Sequence, residues 1–180
     1  MTYLKIFITI LCLTLSLNAC KNSEKPKENT SPATISITKG KILEPELLIS
    51  KSEAAKLLGE AVEDGKKSET KVVGQKICFY KPVNSSSRRF LQISLTQNSF
   101  MPPAGVGSET IYRETKKMIG NSKTEIKELG NDAFIAANGI NILKDGYYIV
   151  ISSSLVHKND GDLTLKSAGK KALENLEQLK

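Results

Sequence analysis

Two dipeptides, Asn138-Gly139 and Asp145-Gly146, each stand between short apolar runs. A two-residue hairpin turn needs positive φ at both of its central residues, and Asn-Gly and Asp-Gly meet that need at little cost. The pattern therefore predicts strands over Ala133–Ala137, Ile140–Lys144 and Tyr147–Val156, joined as a meander. Thr124–Leu129 reads as one more strand, closed by the turn Gly130-Asn131-Asp132. Consecutive hairpins force an antiparallel sheet, and such a sheet buries one face by covering it with helices.

Three segments can supply that cover. Ser50-Lys51-Ser52-Glu53 is a capping box, a hydroxyl at the N-cap with a carboxylate three residues on. Ala54, Leu57, Leu58 and Ala61 follow at helical spacing, and Gly59 is the expected stop. Ser108 is expected to cap a second helix whose apolar face is Ile111, Tyr112, Thr115, Met118 and Ile119, ended by Gly120. Leu163–Lys180 reads as the third, with Leu165, Ala168, Ala172, Leu173, Leu176 and Leu179 inward. Between the first two helices, Leu91, Ile93 and Leu95 alternate with Gln92, Ser94 and Thr96, which predicts a strand over Arg89–Thr96. Ser68–Pro82 is expected to pair with it as one strand, with Gly74 marking a bulge or break. Glu60–Glu69 reads as a charged connection. Lys41–Ile49, interrupted by Pro45, reads as a lead-in that packs on the domain. The expected fold is α+β, an antiparallel sheet of about five to six strands with helices on one face, in the order α-β-β-α-β-β-β(-β)-α.

The start of the chain has a different character. Lys5 precedes an apolar stretch from Ile6 to Leu17, and Leu17-Asn18-Ala19-Cys20 is followed at once by polar sequence. That stretch is too short for a span, which takes about 20 residues. It has the charged start, apolar core and small residues of an export signal. Leu17, Ala19 and Cys20 resemble the lipobox of bacterial lipoproteins. The resemblance implies cleavage before Cys20 and a diacylglyceryl group on its thiol. Residues 1–19 are then a lipoprotein signal peptide, 20–40 a lipidated cysteine and a disordered tether, and 41–180 a single domain. The tether reading rests on composition: Lys21–Gly40 is polar, holds Pro26 and Pro32, and has little to bury. The implied location is the cell envelope, on the outer membrane if the host has one. Leu129-Gly130-Asn131-Asp132-Ala133-Phe134 and Cys78-Phe79-Tyr80 also resemble patterns in small exported bacterial lipoproteins of unassigned function. That resemblance brings no catalytic set.

The formal charge is +7. An exported basic chain meets anionic lipid, glycan phosphate or an acidic partner, and the export signal sets nucleic acid aside. The bland reading of the lysines, a solvated surface, is preferred. Of three cysteines, Cys12 leaves with the signal and Cys20 becomes a thioether. Cys78 then has no disulfide partner in the mature chain and reads as a buried core thiol. A nucleophile–base pair would have to join it to His157, the only histidine. Nothing in the spacing brings them together. Gly59–Lys66 lacks the spacing of a phosphate loop and follows a helix instead of a strand. Asn159-Asp160-Gly161-Asp162 reads as a turn rather than a calcium loop. No catalytic residue, metal ligand or cofactor is expected.

Two features remain as the candidate binding surface. Arg88 and Arg89 form a compact basic tip, with a solubilising turn as the plainer reading. Phe100, Met101, Pro102 and Pro103, with Val106 nearby, put apolar side chains in a loop. That loop reads first as a flap on the core and second as a contact surface. The functional expectation is a membrane-anchored envelope lipoprotein acting as a non-catalytic binding module for a protein partner. A carrier of small molecules or lipid, and an enzyme acting on envelope polymer, are the alternatives. The sequence sets no oligomeric state.

Overall fold

The structure is a computed structural model that describes residues 40–137, 139–154 and 161–179. It is an α+β fold, a seven-stranded antiparallel sheet with three helices packed against it. The helices are α1 (Lys51–Leu58), α2 (Ser108–Ile119) and α3 (Gly161–Gln178). The strands are β1 (Lys66–Thr70), β2 (Gln75–Tyr80), β3 (Leu91–Gln97), β4 (Lys123–Ile126), β5 (Asp132–Ala136), β6 (Gly139–Lys144) and β7 (Tyr147–Ser153). They lie in the order β1-β2-β3-β7-β6-β5-β4. Two meanders therefore meet at β3 and β7, where Ile93 faces Ile151 and Leu95 faces Ile149.

The extra strand comes from the charged connection. Ser68–Pro82 does not run as one strand. It turns back at a 3-10 turn, Lys71–Val73, and at Gly74, whose φ is 65°. A Cβ at Gly74 would stand 2.6 Å from the Gln97 carbonyl oxygen, so glycine is required on two counts. β1, with sequence KKSET, is exposed along its length. It carries no apolar period because it is a sheet edge, and its charged side chains guard that edge against further pairing.

Alternation splits the sheet into two faces. On the first, Leu91, Ile93, Leu95, Ile140, Ile142, Ile149 and Ile151 are fully buried against Leu165, Ala168, Ala172 and Leu176 of α3 and Ala54 and Leu58 of α1. Each such Leu or Ile is worth about 1.5–3 kcal/mol of burial. On the second, Tyr112 of α2 packs among Phe134, Leu143 and Tyr148. The expectation that all helices share one face is corrected here. α2 carries aromatic bulk that matches the Phe134–Tyr148 side, and a short loop from β3 delivers it there. Met118, expected on the α2 core face, is 79% exposed.

The lead-in packs as expected, with Leu43, Leu48 and Ile49 buried around a 3-10 turn, Pro45–Leu47. Its latch is Gln97, itself fully buried. The Leu43 N–H donates to Gln97 Oε1 at 2.8 Å, and Gln97 Nε2 donates to the Leu43 carbonyl at 2.8 Å. A side-chain amide thus replaces a strand's backbone pairing. The hairpin expectations divide. Asp145, at φ 47°, and Gly146, at φ 80°, form the β6–β7 turn as predicted. In the β5–β6 hairpin Ala136 pairs with Gly139, so Gly139 already belongs to β6 and not to the turn, while Asn138 lies outside the described residues. A Cβ at Gly139 would press on Ser152 Oγ at 2.8 Å, so close sheet packing claims this glycine.

Candidate functional site

β3 separates the two parts of the surface proposed from sequence. Arg88 and Arg89 precede its first residue, Leu91, and Phe100–Pro103 follow its last, Gln97. Seven extended residues span about 20 Å or more, so the two clusters stand at opposite ends of the sheet.

Within each cluster the residues have different tasks. Arg89 Nη1 donates to the Leu58 carbonyl at 2.6 Å, at the C-terminal end of α1, and Arg89 Nε lies 3.5 Å from Glu60 Oε1. A cation on the last carbonyls of a helix satisfies orphan acceptors and the helix dipole. Arg89 is therefore structural, while Arg88 is exposed. Beside it, Phe79 and Phe90 stack at 5.7 Å between centroids with both rings half-buried, and Val83 is 61% exposed. Phe79 and Ile77 point to the second sheet face, in register with Gln92 and Ser94. α2 covers β5 to β7 on that face and leaves the Ile77–Phe79–Phe90 region without a helix.

At the other end, Met101 is buried and folds the loop back. Its Sδ accepts the Gly107 N–H at 3.3 Å, and Gly74 and Gly105 pack on its side chain. Phe100 is half-buried, with Lys76 Nζ 4.7 Å from its ring centroid. Pro102 is half-buried and Pro103 exposed. The flap reading thus describes Met101, whereas Pro103 and Val106 reach solvent. The same end displays Val72, 74% exposed, from the β1–β2 turn.

Cys78 is fully buried on the first face, in the floor of a surface pocket of about 330 Å³ lined by Glu46, Ser50, Lys51, Asp64, Lys67 and Tyr80. Tyr80 Oη donates to the Ile49 carbonyl at 3.0 Å. The rim is paired off: Lys51 Nζ sits 2.7 Å from Asp64, and Lys67 bonds Glu46. Burial pushes the Cys78 thiol up, which disfavours its thiolate, the nucleophilic form. Tyr80 is likewise pushed up by burial, with the adjacent thiol adding to it. His157, the base such a thiol would need, lies outside the described residues, as do Cys20 and Asn159-Asp160. Among the described residues no three His, Cys, Asp or Glu side chains gather as a metal site.

Two further grooves follow α3. One, of about 350 Å³, is lined by Ile126, Glu128, Leu129, Lys166, Ser167 and Lys170. Its neighbour, of about 300 Å³, adds Lys144, Glu174 and Glu177. Both mix charges over an apolar floor. Sequence reading missed Asn98 and Asn175. Asn98 Oδ1 accepts the Ser108 N–H at 2.8 Å and the Ser108 hydroxyl at 3.1 Å. Ser108 is thus the first helical residue of α2, its N-cap is Gly107, and the capping side chain comes from ten residues upstream. Asn175 Nδ2 reaches the Leu48 carbonyl at 3.0 Å and Glu53 at 3.1 Å, joining α3 to the lead-in and α1. Lone asparagines carry no pattern that announces such distant partners. No known protein family, curated protein or solved structure matches this chain.

Proposed function

We propose that the protein is a membrane-anchored cell-envelope lipoprotein whose domain binds a protein partner and performs no chemistry itself. The anchor rests on the lipobox-like Leu17-Asn18-Ala19-Cys20, with the acyl chains on Cys20. No described helix is long and apolar enough to cross a membrane. The observation that carries the binding reading is the half-buried Phe79–Phe90 stack, at the end of the sheet where the chain also carries exposed Val83 and Arg88. Aromatic rings and arginine are the side chains that supply most binding energy at protein interfaces. The two rings lie on the half of that sheet face that α2 leaves open, and Arg88 fits a partner with an apolar centre and an acidic rim. The Arg88 end, rather than a surface joined to Phe100–Pro103, is the contact.

The test is photo-crosslinking in intact host cells, with a crosslinking residue at Val83 and a control at exposed Met118. One stoichiometric protein is expected from Val83 alone, falling at least tenfold in Arg88→Glu. The same adducts from both sites, or none from Val83 while the protein is present at the membrane, would sink the reading.

A further inference from the structure

The chain enters the folded domain at the end of the sheet opposite Arg88. Ser99 Oγ donates to the Lys41 carbonyl at 3.4 Å, and Gln97 latches Leu43, so the lead-in starts beside the C-terminal end of β3. The β1–β2 turn is at the same end, where the Gln97 N–H donates to the Gly74 carbonyl at 2.9 Å. The Phe100–Val106 loop closes on Gly74 through Met101. This end displays aliphatic side chains: Val72 is 74% exposed, Val106 64% and Ile42 46%, with Pro103 exposed among them. Lys41 and Lys71 are exposed here and form no ion pair with another described residue. Burial of short aliphatics at a headgroup boundary, ringed by free lysines, is how a protein surface rests on an anionic bilayer.

We infer that the Ile42–Val72–Val106 end of the domain docks on the anionic surface of the membrane that holds the acyl chains. The inference rests on the lipid anchor proposed at Cys20. Residues 21–39 join that anchor to the docking end, a reach of at most about 65 Å. A tether of that length holds the domain at a high local concentration near lipid, so a few exposed aliphatics and two lysines suffice for contact. The consequence is orientation. With Ile42, Val72 and Val106 on lipid, Arg88 and the Phe79–Phe90 stack face away from it.

The experiment uses the mature lipidated chain reconstituted in vesicles of phosphatidylcholine and phosphatidylglycerol. An environment-sensitive fluorophore is placed at Val106→Cys, or at Ser86→Cys in the exposed loop at the far end; buried Cys78 stays unlabelled. Lipids carrying a shallow quencher are expected to quench the label at 106 several-fold and to leave the label at 86 unchanged. Val72→Glu, an exposed position, is expected to abolish the difference. Replacing phosphatidylglycerol by phosphatidylcholine is expected to weaken it. Mass analysis of the N-terminal peptide reports acylation separately. An acylated chain whose label at 106 stays in water, or becomes shielded only when envelope protein is added, overturns the docking alone. A chain without acyl groups on Cys20 overturns the anchor and the docking with it.

Discussion

At the scale of single residues, close packing decides more than chemical reactivity. Gly65 faces the Cys78 thiol so closely that a Cβ would stand 2.3 Å from Sγ and 3.0 Å from the Tyr80 ring. Cys78 is fully buried, and its sulfur can move only by turning about χ1. Gly65→Ala is therefore expected to cost about 1–3 kcal/mol, the usual range for overpacking. Cys78→Ala opens the space, so the double variant should recover part of that loss, a coupling read by urea unfolding of the four chains. Equal, additive losses would show that the thiol is not what Gly65 accommodates. The sequence identified Cys78 as a core thiol from its apolar neighbours. It held no sign that Gly65, in a charged stretch, is the residue that packs on it.

At the scale of elements, the helix ends show where local rules hold and where they are replaced. α1 obeys them. Ser50 Oγ accepts the Glu53 N–H at 3.4 Å, and Glu53 accepts the Ser50 N–H at 2.7 Å. Burial raises the Glu53 carboxyl, but the Ser50 N–H, Asn175 and the Ser50 hydroxyl outweigh it and hold the group below its ordinary range. A lowered acid stabilises above its unfolded pKa, and that share is lost as pH falls through the folded value. α2 departs from the rules, because its cap is Asn98. Removing such a cap typically costs about 1 kcal/mol, up to about 2. Asn98→Ala should fall in that range and speed amide exchange in the first turn of α2, while α1 keeps its protection. Unchanged exchange at residues 108–111 would mean that Gly107 and water suffice. A serine at position 108 signals a helix start correctly within one residue. Its own hydroxyl is engaged by Asn98 and by the Gly146 carbonyl, which fastens α2 to the β6–β7 turn.

For the whole molecule, the buried acids with high pKa values set the pH response. Burial is the largest cause that pushes up Cys78, Tyr80, Tyr112 and Tyr148. In each case the folded state keeps a proton that the unfolded state releases once pH passes the ordinary range, about 8.5 for thiol and about 10 for phenol. The unfolded state then binds fewer protons, so stability falls as pH rises. Thermal unfolding should move down steadily above about pH 9, with the absorbance change of Tyr80, Tyr112 and Tyr148 arriving at unfolding rather than before it. Ionisation of Tyr80, Tyr112 or Tyr148 in the still-folded protein would contradict the burial that produces these shifts. The two ends of the sheet add a functional polarity, with the Lys41 end proposed for lipid and the Arg88 end for a partner.

The sequence by itself determined the antiparallel class, because Asp145-Gly146 and the alternation of β3 are local instructions. It determined α1 and the inward stripe of α3, because capping and helical period act within a few residues. Only the tertiary structure decided the rest. β1 lacks a period because an edge strand buries neither face, and α2 crosses to the second face because Tyr112 finds Phe134 and Tyr148 there. The candidate surface was legible as residue types and not as a place. Arg88, Arg89 and Phe100–Pro103 are near in sequence, yet the extended chain of β3 carries them apart, and an adjacent pair, Arg88 and Arg89, divides between solvent and a helix end. Contacts such as Gln97 to Leu43 or Asn175 to Glu53 join residues more than fifty positions apart, and a chain read in order does not contain that geometry.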